Sequence, residues 1–300
     1  MFPPSFRYRR AGSLAEAVAL LAELGPEAKA IAGGQSLIPL MKLRLARPAA
    51  LVDLNFVSGL SGIERKDGVL RLGALARHGE IAAAAPASRI PIVQDCAEGI
   101  ADVQVRNRGT IGGSLAEADP SSDWGAVLLA LEGEVLVAGP AGDRSIPLDR
   151  FVLDAFTTAL RPGELVREVA VKLPPKRSGG AYLAFKRSAP VYATASVAVQ
   201  LTLGEDDACL DARIVAGCVG LVALRLPAAE AELRRKPVAS RSIEAAAEAA
   251  MAAIDPPADL RGSSAYKRLL VGALLKRAAA AAVRRARGES VEVSHEYVAR

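Results

Sequence analysis

The chain has 300 residues, 51% apolar and 24% charged, a composition that excludes disorder over most of its length and is sufficient for about two domains. Thirty-eight Lys and Arg against 33 Asp and Glu leave a formal charge of +5, a mild excess that does not mark a nucleic-acid binder. Three scattered cysteines and two distant histidines, His78 and His295, argue against a disulfide framework, C-x-x-C ligation and a His-rich catalytic metal.

The opening Met1 to Arg10 has no signal-peptide core and no apolar run reaches spanning length, so a cytoplasmic protein without a membrane span is expected. Ser13 and Glu16 form a capping box. It starts a helix with Leu14, Val18, Leu21 and Leu24 on one face, stopped by Gly25-Pro26. A strand over Lys29–Ala32 runs into Gly33-Gly34-Gln35-Ser36, and a short helix follows. Leu51–Leu54 reads as a strand, and Asp67-Gly68 joins two strands as a hairpin. Helices are expected over 76–85 and 92–100, and an extended segment before Gly109-Thr110-Ile111-Gly112-Gly113-Ser114.

Pro174-Pro175-Lys176-Arg177-Ser178-Gly179-Gly180 marks a domain boundary. Beyond it, Ala195–Leu203 alternates like a half-buried strand and pairs with Leu210–Val215 across a turn at 204–207. Two helices close the chain, over 242–254 and from Tyr266 onward. The second carries Lys267, Arg268, Lys276, Arg277, Arg284, Arg285 and Arg287. Such a run reads as a solvated face, and here as a surface for docking acidic partner subunits.

The informative feature is the pair Ala32-Gly33-Gly34-Gln35-Ser36 and Thr110-Ile111-Gly112-Gly113-Ser114. Adjacent glycines let the main chain approach a ligand, and consecutive amides ahead of a helix form an anion-binding nest. Two such turns suit a diphosphate. There is no G-x-G-x-x-G and no Gly-Lys-Ser/Thr, which removes the classical dinucleotide fold and the P-loop. Two ordinary tight turns remain the alternative. His78 is given no role, the three cysteines read as small buried apolar residues, and Trp124 as a packing residue.

Ala30 to Arg44 and Thr110 to Pro120 resemble the flavin-binding signatures of the medium subunit of aerobic carbon monoxide dehydrogenase. That subunit belongs to the molybdenum hydroxylases and is related to the flavin domain of xanthine dehydrogenase. Phe6-Arg7-Tyr8, Ser13–Ala17, Leu51–Leu54, Leu72-Gly73-Ala74, Phe156-Thr157-Thr158 and Ala184–Arg187 extend the likeness over nearly the whole chain. The resemblance implies an α+β fold: a two-subdomain FAD-binding domain of p-cresol methylhydroxylase type at 1–175, with subdomains about 1–58 and 59–175. A small C-terminal α/β domain of carbon monoxide dehydrogenase flavoprotein type follows at 176–287, then a tail at 288–300.

By the same resemblance Ala32, Gly33, Gly34, Gln35 and Ser36 hold the FAD diphosphate together with Thr110, Ile111, Gly112, Gly113 and Ser114. Asp123, Val166 and Lys186 are flavin contacts, and Tyr192 lies beside the isoalloxazine ring. On the residues alone the favoured readings are a surface lysine beside Arg187 for Lys186 and an interface aromatic for Tyr192. Relatives often carry histidine in place of Glu117, asparagine in place of Ser114, and an acidic pair in place of Val191-Tyr192. No catalytic side chain and no metal are implied on this chain. The molybdenum cofactor and 2Fe–2S clusters are expected on a large and a small partner subunit, in a dimer of heterotrimers that serves an external electron acceptor. A stand-alone FAD oxidase and a non-catalytic nucleotide-binding module are the competing readings, and the substrate stays open.

Overall fold

The computed structural model describes residues 2–188 and 191–293. Its chain opens as β1 (Arg7–Arg10), α1 (Leu14–Leu24), β2 (Ala28–Ile31), α2 (Leu37–Lys42) and β3 (Ala50–Asp53). The strands form a parallel sheet ordered β1-β3-β2. The helix start is as the sequence predicts with one change of partner: the Glu16 amide donates to Ser13 Oγ, but the Glu16 carboxylate accepts from the Gly12 amide. Leu20 and Ala17 pack on Val52 of the central strand in a small apolar cluster.

The next stretch runs β4 (Ile63–Lys66), β5 (Val69–Gly73), α3 (His78–Ala83), α4 (Pro91–Gly99), α5 (Val103–Arg106), α6 (Ile111–Glu117), α7 (Asp123–Ala130), β6 (Glu134–Ala138), β7 (Arg144–Pro147), β8 (Val152–Asp154), β9 (Thr157–Thr158) and β10 (Leu165–Lys172). Five of these strands make an antiparallel sheet ordered β4-β5-β10-β6-β7. The Asp67-Gly68 turn has φ of 52° and 75°, the two left-handed residues a type I′ hairpin requires. The segment before Gly109, expected to be extended, is the short helix α5. Asp102 caps it by accepting from the Val105 amide at 2.8 Å.

The last region comprises β11 (Ser178–Phe185), β12 (Ala195–Leu203), β13 (Cys209–Gly217), β14 (Leu224–Arg225), α8 (Pro227–Leu233), α9 (Ser240–Ala253) and α10 (Ser264–Ala286). Its antiparallel sheet follows chain order. The strand over 195–203 is buried along almost its whole length, not half-buried. The cause is that the sheet is covered twice. Tyr182, Ala184, Ala198 and Val215 face the core built on α4 and α7, whereas Ala181, Leu183, Val197 and Val199 face α10. A strand covered on both faces loses its period-two signature.

The basic final helix is also corrected. Lys267 is buried, with Nζ on Pro257 O and Asp259 at 2.8 Å each. Arg285 makes a two-pronged buried pair with Asp95 of α4 at 2.6 and 2.9 Å. Arg268, Lys276, Arg284 and Arg287 pair with Asp255, Glu244, Glu289 and Asp207 of the same chain. Lys267 and Arg285 thus serve internal packing, whereas the other four are exposed pairs on the solvated face that was expected. After α10 the chain turns back, and Val291 and Val293 pack on the adjacent core; the rest of the expected tail, with His295, lies outside the described residues.

Candidate functional site

The first glycine segment leaves the end of β2 and is fixed from β3. Asn55 donates to Ala32 O at 2.9 Å and to Asp53 Oδ1 at 2.7 Å, while the Tyr8 hydroxyl donates to Asp53 Oδ2 at 2.5 Å. Partial burial works to raise the Asp53 carboxyl, but the bonds from Tyr8 and Asn55 outweigh it and hold the group below its ordinary value. With the Ala32 carbonyl pinned, the amides of residues 33–37 find no acceptor among the described residues. Five unpaired donors in a row, with the Ser36 hydroxyl beside them, are what an anion requires and what a folded chain otherwise avoids. Tyr8, Asp53 and Asn55 are positioning residues that the sequence reading passed over.

Gly33 also brings the two segments together. A Cβ on it would stand 2.2 Å from Arg108 O and 2.8 Å from Gly109 Cα, so only glycine permits this approach of two backbones.

The second segment has a different character. Thr110 caps α6, accepting from the Gly113 amide through Oγ1 at 3.2 Å and from Ser114 through its carbonyl at 3.0 Å. Ile111 and Gly112 donate to Ala76 O and Ala74 O at 3.1 and 2.9 Å. All four amides are thus satisfied inside the chain, so this segment is not the open nest expected of it. Thr110, Ile111 and Gly112 are buried; Gly113 and Ser114 reach the surface, with Ser114 Oγ 2.9 Å from Ser122 Oγ. Gly112 is required where a Cβ would meet Ala74 Cβ at 2.5 Å.

His78, unassigned from sequence, supports this segment. Its amide donates to Gly109 O at 3.1 Å, and its Nδ1 accepts from the Trp124 indole at 3.1 Å. Burial lowers the imidazole to about 4, so it stands neutral at physiological pH, as the acceptor role demands. The buried indole N–H of Trp124, which needs an acceptor, was the available signal.

Three of the expected flavin contacts, Asp123, Val166 and Lys186, are buried. Asp123 opens α7. Lys186 follows β11 and is only 1% exposed, so it is not a surface lysine. Its Nζ donates to Gly99 O at 2.5 Å and lies 3.5 Å from Asp123 Oδ1. Tyr182 donates its hydroxyl to that same Oδ1 at 2.6 Å. Val166, on β10, is buried as an apolar wall. Tyr192 is half-exposed, with the Arg261 guanidinium 5.5 Å from its ring; burial of the hydroxyl and the nearby Asp119 push the phenol up to about 12. Glu117 is raised from its ordinary value by partial burial and by Asp119, with Lys29 acting against them.

A cavity of about 480 Å³ lies beside α6 and α7 and reaches the loop after β13; Ser114, Asp119, Ser122, Leu221, Val222 and Ala223 are among its walls. Cys96, Cys209 and Cys218 are buried free thiols raised by burial, in keeping with inert packing. Among the described residues no cluster of His, Cys, Asp and Glu could hold a metal, and no helix is long and apolar enough to cross a membrane.

A row of unpaired amides, a glycine face free of side chains and a buried ammonium beside a carboxylate fit the diphosphate and the electron-rich ring of a flavin dinucleotide. Residues 4–175 match the FAD binding domain in molybdopterin dehydrogenase, and residues 180–282 the CO dehydrogenase flavoprotein C-terminal domain. The chain belongs to this flavoprotein family.

Within the family, the 6-hydroxypseudooxynicotine dehydrogenase complex subunit alpha of Paenarthrobacter nicotinovorans is 41% identical, covering 98% of this chain and 100% of that one. The carbon monoxide dehydrogenase medium chain of Hydrogenophaga pseudoflava is 38% identical, over 94% and 98%. The solved carbon monoxide dehydrogenase of Hydrogenophaga pseudoflava that lacks the Mo-pyranopterin moiety superposes with a TM-score of 0.91 at 40% identity, covering 95% of this chain and 99% of that one. Quinoline 2-oxidoreductase from Pseudomonas putida 86 gives 0.90 at 33% identity, over 95% and 99%. The expected α+β architecture agrees with these structures.

Proposed function

We propose that this chain is the FAD-carrying medium subunit of a molybdenum hydroxylase complex. It takes electrons from the iron–sulfur clusters of a small partner subunit, which receives them from a large subunit holding the molybdenum cofactor. It then passes them to an external acceptor. A dimer of heterotrimers and a cytoplasmic location are part of this reading, as is a division into an FAD-binding domain at 1–175 and a C-terminal domain at 176–287. The observation that carries it is the row of unpaired amides at 33–37, locked by Gly33 against the second glycine segment.

FAD supplies the exchange between one- and two-electron chemistry that no side chain here offers. The protein's part is binding and tuning. The amides of Gly33, Gly34, Gln35, Ser36 and Leu37 would donate to the diphosphate, with Gly113 and Ser114 offering a bare backbone and a hydroxyl to it. Lys186 presents a positive charge that favours a negatively charged reduced ring. Val166, buried on β10, would give the bound ring an apolar wall, and the half-exposed Tyr192 would offer it an aromatic face and restrict access. No residue is assigned a nucleophilic or general-acid role.

Purification from the native host tests the reading: a yellow complex should contain two further chains, molybdenum and iron, and heat should release FAD rather than FMN. A colourless chain purified alone, with no flavin uptake on titration, counts against it. Steady turnover of an organic substrate by the isolated chain would favour the stand-alone oxidase instead.

A further inference from the structure

Lys186 and Asp123 are oppositely charged, buried to 1% and 7% exposure, yet their closest atoms are 3.5 Å apart. A buried ammonium and carboxylate free to relax close to about 2.7–2.9 Å. The reason they do not is visible. The Asp123 oxygen nearest the lysine already accepts the Tyr182 hydroxyl at 2.6 Å, and the ammonium is turned to a neutral acceptor, Gly99 O, at 2.5 Å.

We propose that Tyr182 is a positioning residue for the redox chemistry: its hydroxyl shares the Asp123 oxygen nearest Lys186, draws off part of that oxygen's charge and competes with the ammonium for it, and so keeps the lysine's charge available to the bound cofactor. The inference rests on the reading of Lys186 given above. A closed pair is a short dipole whose field falls off quickly; a pair held open keeps more of its positive end, and low dielectric amplifies the difference. Tyr182 is well placed for the task. Its ring is fully buried, and burial and Asp123 push the phenol well above its ordinary range, so it remains a donor. Its own amide donates to Asp95 Oδ2 at 3.1 Å, and Asp95 is clamped by Arg285 of α10. The C-terminal sheet and helix thereby shape the cofactor's surroundings through one hydroxyl.

The experiment uses the assembled, FAD-loaded complex. Tyr182→Phe keeps the ring and removes the donor. Spectroelectrochemical titration should show the reduced cofactor loosened about tenfold relative to the oxidised one, a two-electron midpoint ~30 mV more negative. Lys186→Met should lower the midpoint at least as far, and the double variant no further than Lys186→Met, because the hydroxyl acts only through the lysine. A Tyr182→Phe midpoint equal to wild type, with only FAD content or thermal stability reduced, overturns the proposal, as does an additive double variant. Lys186→Met without effect would sink the Lys186 reading and this one with it. If Tyr182→Phe fails to load FAD, site-specific 3-fluorotyrosine at position 182 replaces it. The stronger donor should raise the midpoint, and an unmoved midpoint rejects the role.

Discussion

Gly33 and His78 fix the geometry of the two glycine segments without touching a ligand themselves. Gly33 stands where any Cβ would overlap the Arg108 carbonyl, so Gly33→Val must push the two segments apart. We expect FAD content to fall more than about tenfold and thermal stability to fall with it, because Gly33 is buried and the overlap is with backbone that cannot give way; retention of full colour would contradict the cradle. His78 gives a pH signature. Its folded value of about 4 lies below the ordinary 6.5, so the unfolded chain binds the proton first as pH falls. Its contribution is complete above pH 6.5 and is lost between 6.5 and 4, by roughly 3 kcal/mol. Denaturant unfolding at pH 7 and pH 5 should show about 2 kcal/mol of that loss in wild type and little of it in His78→Gln. An unchanged slope would place the titration elsewhere. Neither role was legible beforehand. Glycine pairs are readable as turns, but the backbone that approaches Gly33 arrives from a distant stretch, and a lone histidine carries no pattern.

Elements were legible where their stabilisation is local. The Ser13–Glu16 cap and the Asp67-Gly68 turn depend on residues within four positions of each other; the turn stands as read, and the cap does with Gly12 in place of Ser13 as the donor to the Glu16 carboxylate. Helix α6 did not announce itself, because paired glycines are poor helix formers and its first amides are satisfied by Ala74 and Ala76 across the fold. Thr110→Ala, which removes the side-chain half of that cap, should cost about 1 kcal/mol in apoprotein unfolding, with FAD affinity reduced in parallel. The final helix misled at two positions for a related reason: Lys267 and Arg285 look solvated until the carboxylates that draw them inside are known. Arg285→Met would strand the Asp95 carboxylate in the interior, at about 3–5 kcal/mol. An effect under 1 kcal/mol, the range of an exposed pair, would mean that Arg285 acts as a surface charge after all.

At the scale of the molecule, the flavoprotein family and its α+β architecture were readable from two glycine segments and the motifs around them. The burial of Lys186, the opening of its pair with Asp123 and the double cover of the last sheet were not. Each depends on which distant surfaces meet. The proline-rich seam at 174–180 makes the point. Pro175 and Lys176 are exposed, an inviting place for trypsin, yet the strand that begins two residues later is wedged between two apolar interiors and fastened by Tyr182 and Arg285. A single cut there severs the polypeptide without freeing either half: two bands on a denaturing gel should elute as one particle from a sizing column. The protein would be nicked but whole, because what joins its halves is the shared interior and not the covalent thread.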